Sequence, residues 1–97
     1  MADATKVAPH VYKVVLENDK VRVLEVRMKP GEKTEMHSHP AAVGVMIQGG
    51  KARFTHPDGS VLDMDASPGE PTLQPAVEHS TENIGDTEVH GFIIELK

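Results

Sequence analysis

Pro30-Gly31-Glu32-Lys33-Thr34-Glu35-Met36-His37-Ser38-His39-Pro40 is the stretch that decides how this chain reads. A proline-glycine turn opens it, and a His-x-His pair closes it before a second proline. On a β-strand, residues i and i+2 point to the same face. His37 and His39 can therefore aim two imidazoles into one space. Neutral imidazole is the commonest metal-binding side chain among the titratable residues. Forty residues after His39 stands His79, followed by Ser80-Thr81-Glu82-Asn83.

Outward from this stretch the chain punctuates itself into strands. Val11 to Glu17 reads as one, ended by the Asn18-Asp19 turn. Lys20 to Met28 is rich in β-branched residues and reads as a second. Thr34 to His39 reads as a third, stopped by Pro40. Val43 to Gln48 is apolar on both faces, as a buried strand would be. Lys51 to His56 and Ser60 to Asp65 flank Pro57-Asp58-Gly59, a hairpin signal. A loop dense in turn formers runs from Ala66 to Pro71. Thr72 to Gln74, Glu78 to Ile84 and Thr87 to Lys97 complete the set. No helical periodicity is sustained over three turns. Short strands between regularly spaced turns argue for an all-β sandwich or barrel.

The 97 residues suit one domain, 11–97, preceded by a loose N-terminal arm, 1–10. So small a domain buries a modest share of its surface, and pairing with a second copy would help it. With no cysteine, disulfides, thiolate ligands and a cysteine nucleophile are excluded. The first residues lack the basic and apolar regions of a signal peptide, and no segment approaches the roughly 20 apolar residues of a membrane span. A cytoplasmic location without membrane attachment is the expectation.

Acidic residues outnumber basic ones 15 to 10, for a formal net charge of −5. The basic residues are dispersed rather than clustered, and Tyr12, Phe54 and Phe92 are the whole aromatic complement. A nucleic-acid partner is therefore not expected.

Two spacings in the chain resemble the motifs of the cupin superfamily. The first cupin motif runs Gly, five residues, His-x-His, three or four residues, Glu, six residues, Gly. Gly31, His37, His39 and Gly50 match it, with Val43 at the glutamate's place. The second runs Gly, five residues, Pro-x-Gly, two residues, His, three residues, Asn. Gly69, Pro75, His79 and Asn83 match, although the gap before His79 is one residue short and lacks its glycine. The likeness extends from about Val21 to Leu96. It implies a small jelly-roll β-barrel of the RmlC-like type, often a homodimer, with a metal inside. It implies His37, His39 and His79 as the metal ligands.

Three imidazoles with open positions suit a catalytic site, because structural metals prefer closed four-ligand shells. Without the glutamate, a divalent ion keeps about two positive charges, which favours an anionic substrate or a hydroxide. Imidazole suits several metals, so iron(II), zinc, nickel, copper and manganese all remain candidates. Three-histidine cupins include dioxygenases that use iron(II), so the resemblance implies a dioxygenase-like enzyme acting on a small organic molecule. The other reading is a cupin that binds a small molecule or metal without turnover, as a sensor or storage module.

The remaining chemistry-bearing residues read more plainly. Glu35 lies two residues before His37 and would share its face, where it reads as a charge at the rim or, alternatively, as a general base or a partner of the ligand. Gln74 stands near the cavity mouth and could touch substrate. His90 reads as structural, His56 as a hairpin surface residue, and His10 as part of the arm. Val43, Val45, Ile47, Phe54 and Phe92 read as core or cavity wall. Asp58, Asp63 and Asp65 lack EF-hand spacing and read as a solvated hairpin face.

Overall fold

A computed structural model describes residues 2–97. A single helical turn, α1 (Ala4–Val7), precedes β1 (Tyr12–Glu17), β2 (Val21–Met28), β3 (His37–His39), β4 (Ala42–Gln48), β5 (Lys51–Thr55), β6 (Val61–Asp65), β7 (Thr72–Gln74), β8 (Val77–Asn83) and β9 (Val89–Leu96). Each predicted strand has a counterpart. The third is shorter than alternation suggests, because the pairing of β3 with β8 begins only at His37.

The strands form two antiparallel sheets. One has the order β1-β2-β9-β4-β7 and the other β3-β8-β5-β6. The chain moves repeatedly from one sheet to the other, which gives a jelly-roll barrel. Turn chemistry fixes the crossings locally. At Asn18 the side-chain Oδ1 accepts from Lys20 N and Val21 N at 2.8 and 2.9 Å. At the tip of the β5–β6 hairpin, Gly59 has φ +87°, a conformation other residues rarely adopt.

The two inner faces differ in chemistry. From the five-stranded sheet, Leu24, Val26, Met28, Ala42, Val89 and Ile93 are buried. From the four-stranded sheet the buried residues are polar: His37, His39, His79, Thr81 and Asn83. Buried polar groups need partners, and most have them. Asn83 Nδ2 donates to Met28 O and Thr87 O, both at 2.8 Å, and its Oδ1 accepts from Gly85 N at 2.9 Å. Asn83 thereby ties the end of β8 to two neighbouring segments.

The N-terminal segment corrects the expectation of a loose arm, although Met1 lies outside the described residues. Asp3 caps α1, its Oδ1 accepting from Thr5 N at 2.8 Å. Ala4 and Ala8 are fully buried. Ser38 N donates to Ala2 O at 2.7 Å, and Asp3 forms a parallel bridge with Ser38. The segment covers the free edge of β3. Its small side chains, Ala4 and Ala8, are what let it pack so closely.

Candidate metal centre

Pairing of β3 with β8 sets His37 directly opposite His79. Directly opposed residues on neighbouring strands have side chains close enough to touch. His39, two residues from His37, shares their face. The three rings converge, with centroids 4.9 Å apart for His37–His39, 5.0 Å for His37–His79 and 5.5 Å for His39–His79. One ring nitrogen from each lies within 4.8 Å of the others.

The hydrogen bonds set the tautomers. Nδ1 of His37 lies 2.8 Å from Glu35 O. A carbonyl only accepts, so Nδ1 carries the proton and Nε2 keeps its lone pair. Nδ1 of His39 lies 2.8 Å from Glu95 Oε2 and donates to it. Both Nε2 atoms are buried and have no hydrogen-bond partner among the described residues. Orphaned buried acceptors are costly. Two of them, aimed into one space beside a third imidazole, fit a metal ion that would complete them.

Electrostatics agree with neutral ligands. Burial pushes the pKa of His37 down, and its bond to Glu35 O only partly offsets this. Burial, with the charges of His37 and His39 nearby, pushes His79 down to about 3. Metal binding requires the unprotonated ring.

Behind His39 runs a chain of charged groups. Arg22 Nε and Nη2 both reach Glu95 Oε1, at 2.8 and 2.7 Å. Arg22 Nη1 donates to Asp3 Oδ2 at 2.8 Å. Burial disfavours the charge on Glu95, but bonds from His39 and Arg22 outweigh it and hold the carboxyl below its ordinary value. Asp3 is likewise held at about 2: burial opposes its charge, and Thr5 and Arg22 outweigh that opposition. The chain of contacts runs Asp3–Arg22–Glu95–His39 and orients the imidazole, as partners of metal-binding histidines commonly do.

Tyr12 packs edge-on against His37 and His39, with centroids 4.9 and 5.3 Å away. Its phenol lies 3.4 Å from Thr81 Oγ1 and is pushed up to about 12, chiefly by burial. Thr34 Oγ1 lies 3.0 Å from Thr81 Oγ1 and 3.3 Å from His37 Nδ1. The nest is thus walled by an aromatic ring and two hydroxyls.

A cavity of about 250 Å³ opens beside it, lined by His79, Tyr12 and Thr81 together with Met28, Met46 and Phe54. Gln74, from the sequence expectation, lines it too. Phe54 stacks obliquely on His79 at 5.0 Å.

Some expectations need correction. Glu35 is exposed, and it precedes the strand rather than lying within it. What reaches His37 is its main-chain carbonyl, so alternation does not carry its carboxylate onto the histidine face. Val43 does not face the interior either. On β4 the buried positions are Ala42 and Gly44, and Gly44 lines the cavity. The motif's four-residue gap, rather than three, reaches the inward position. Val45, Ile47 and Phe92 are not cavity wall, and Ile47 is 55% exposed. His90 Nε2 pairs with Glu25 Oε2 at 2.9 Å, away from the nest.

Glu95, Arg22, Asp3 and Thr34 were not legible as site residues. A signal for Glu95 was present. Val89, Gly91 and Ile93 share its parity on β9, and all are buried. A carboxylate on the inward parity of an apolar strand marks a buried charge with a partner.

Known proteins share this fold. No family model and no curated protein matches the chain. Among solved structures, a cupin domain from Bordetella pertussis is 31% identical over 90% of this chain and 92% of its own, with a TM-score of 0.82. A conserved protein with a double-stranded β-helix domain from Klebsiella pneumoniae is 24% identical over 89% of this chain and 75% of its own, with a TM-score of 0.70. An RmlC-like cupin family protein from Methanocaldococcus jannaschii shares the fold at 17% identity, with a TM-score of 0.67 over 89% of this chain and 78% of its own. With its jelly-roll barrel, its inward histidine trio and a likeness that spans nearly the full length of both chains, this protein belongs to the cupin superfamily.

Proposed function

We propose that His37, His39 and His79 hold one divalent metal ion, and that the protein is a metal-dependent enzyme acting on a small organic molecule taken into the adjoining cavity. The observation that carries this is the pair of buried, partnerless Nε2 atoms on His37 and His39, converging with His79. Such an ion supplies Lewis acidity and, if it is iron, redox chemistry. Iron(II) dioxygenase chemistry is the favoured form, since a neutral three-histidine set leaves positions open for small ligands.

The protein's own contribution is placement and shielding. Glu35 O and Glu95 fix the ring orientations. Tyr12 and Thr81 close the buried end. The apolar wall keeps water from the reacting centre.

The test is element analysis of protein purified without added metal, followed by oxygen uptake with small diketones and thiols. Bound iron with uptake supports the proposal. Bound zinc without uptake redirects it to hydrolysis, isomerisation or structure. Iron without uptake across a broad panel overturns the dioxygenase reading.

A second reading is a binding module without turnover. It is favoured by the poverty of proton-transfer groups at the buried end of the cavity, where the titratable side chains are Tyr12 and His79. Tight binding of a metabolite with no product would decide for it. A homodimer belongs to the same proposal. The sheet-edge strand β1 exposes Val14, Val15 and Leu16, and sedimentation of the purified chain decides whether a second copy covers them.

A further inference from the structure

Gly44 stands at the inward position of β4 where the cupin motif would place a carboxylate. A Cβ there would meet Gln74 Nε2 at 3.2 Å and Thr72 Oγ1 at 3.4 Å. The space of the missing side chain is therefore bordered by an amide and a hydroxyl of β7. Register makes this so, since Gly44 pairs with Thr72 and Ala42 with Gln74. Gly44, Thr72 and Gln74 all line the cavity that His79 enters. Gln74 Nε2 can donate to a ligand oxygen, and Thr72 Oγ1, which donates to Gly44 O over a long 3.4 Å, can exchange that weak bond for one to a ligand.

Charge limits what the cavity accepts. Among its lining residues there is no lysine or arginine, and the carboxylates there, Asp65 and Glu70, are exposed. Behind His39, Asp3 and Glu95 bring two negative charges and Arg22 one positive. A divalent ion in the histidine nest would thus be offset by one net negative charge, leaving about one positive charge to be matched. A ligand with one anionic head supplies that match. A second anionic group would find no cation and would approach Asp65 and Glu70. Much of the rest of the wall, including Met28, Met46, Phe54, Val89 and Ile93, is apolar, with Tyr12, Ser67, His79 and Thr81 as its polar members. At about 250 Å³ the cavity is smaller than pockets for drug-sized ligands.

We propose that Gly44, Thr72 and Gln74 form a head-group subsite beside the metal centre, selecting small monoanions with an apolar body and a carboxylate or enolate oxygen head. This rests on the reading of the three histidines as a metal centre. Thr72 and Gln74 take the head's oxygens from the β7 side. The methionine-lined wall takes the body. The vacated carboxylate position becomes a determinant of specificity.

The test uses the full chain loaded with zinc as a redox-inert probe metal, titrated calorimetrically with butyrate, succinate and inorganic phosphate. Butyrate is expected to bind at least tenfold more tightly than succinate or phosphate. Gln74→Leu should weaken butyrate binding about tenfold, the loss of one hydrogen bond to a charged group, with zinc stoichiometry unchanged. Gln74→Glu should weaken it further by repulsion. If Gln74→Leu does not fold, Thr72→Val gives the same reading. Succinate binding as tightly as butyrate, no butyrate binding, or variants that bind like the parent overturns the subsite. Failure to bind zinc instead overturns the metal centre.

Discussion

His39 and Glu95 meet across the barrel, from the edge strand of one sheet to the central strand of the other, with Nδ1 and Oε2 2.8 Å apart. Neither side chain is more than 3% exposed. The contact joins the two sheets at the histidine nest and fixes which nitrogen of His39 faces a metal. Breaking it should have two separable consequences.

Glu95→Gln keeps an acceptor for His39 but removes the charge. Metal affinity should fall by about 10- to 100-fold, the usual cost of altering a ligand's hydrogen-bond partner. Stability should fall by about 3 kcal/mol, because Arg22 loses one of its two carboxylates in a mostly buried setting. Chelator competition measures the first and urea unfolding the second. Unchanged metal affinity would show that the contact only staples the sheets.

Asp3 acts on the centre at one remove. Asp3→Ala removes a helix cap and a partner of Arg22. The cap alone is worth about 1 kcal/mol. Metal retention should weaken severalfold even though Asp3 is far in sequence from His37, His39 and His79. Thr5→Ala, which removes a bond to Asp3 but leaves Arg22 paired, should lower the melting temperature slightly and spare metal retention.

Acid should destabilise the metal-free protein early. His79 has an ordinary value of 6.5 and is held at about 3 in the fold. Between those values the unfolded chain binds a proton that the folded chain refuses. Stability is therefore full above pH 6.5 and declines as pH falls toward 3, by up to about 1.4 kcal/mol per pH unit for this group. His37, also lowered by burial, adds to the slope. Melting curves from pH 7 to 4 measure this, and His79→Gln should flatten them. A flat profile in the parent would contradict the burial of neutral imidazoles.

Metal should stabilise by mass action. Free metal at about 100 times the dissociation constant adds about 2.7 kcal/mol to the folded state. A chelator should reverse the gain. His37→Ala and His79→Ala should each abolish it.

Gly91 sits where β9 crosses closest to β4. A Cβ there would lie 2.5 Å from Val45 O and 2.7 Å from Met46 Cα. Gly91→Ala should cost on the order of 2 kcal/mol by overpacking against backbone that cannot yield. Gly31→Ala meets no neighbouring atom, and its penalty is confined to the strained φ of +83°. Denaturant midpoints compare the two.

Much of the fold could be read along the chain, because strand and turn signals are local. Asn18, Pro57-Asp58-Gly59 and the loop from Ala66 to Pro71 mark the ends of strands by their own backbone preferences. The sharing of a face by His37 and His39 follows from the two-residue period. Thr34 to Met36 failed as strand because extension there lacks a continuous partner, which propensity does not reveal.

The chain by itself determined most of the strand spans, the turns and the sharing of one face by His37 and His39, since these depend on residues within reach of one another along the backbone. Only the tertiary structure decided that Glu95 lies behind His39, that Ala2 and Asp3 close over β3, and that Gly44 rather than Val43 looks inward. Those relations depend on how two sheets stack and in which register their strands pair. A shift of one residue turns a side chain from the interior to the solvent. Sequence spacing fixes the alternation, and packing chooses its phase.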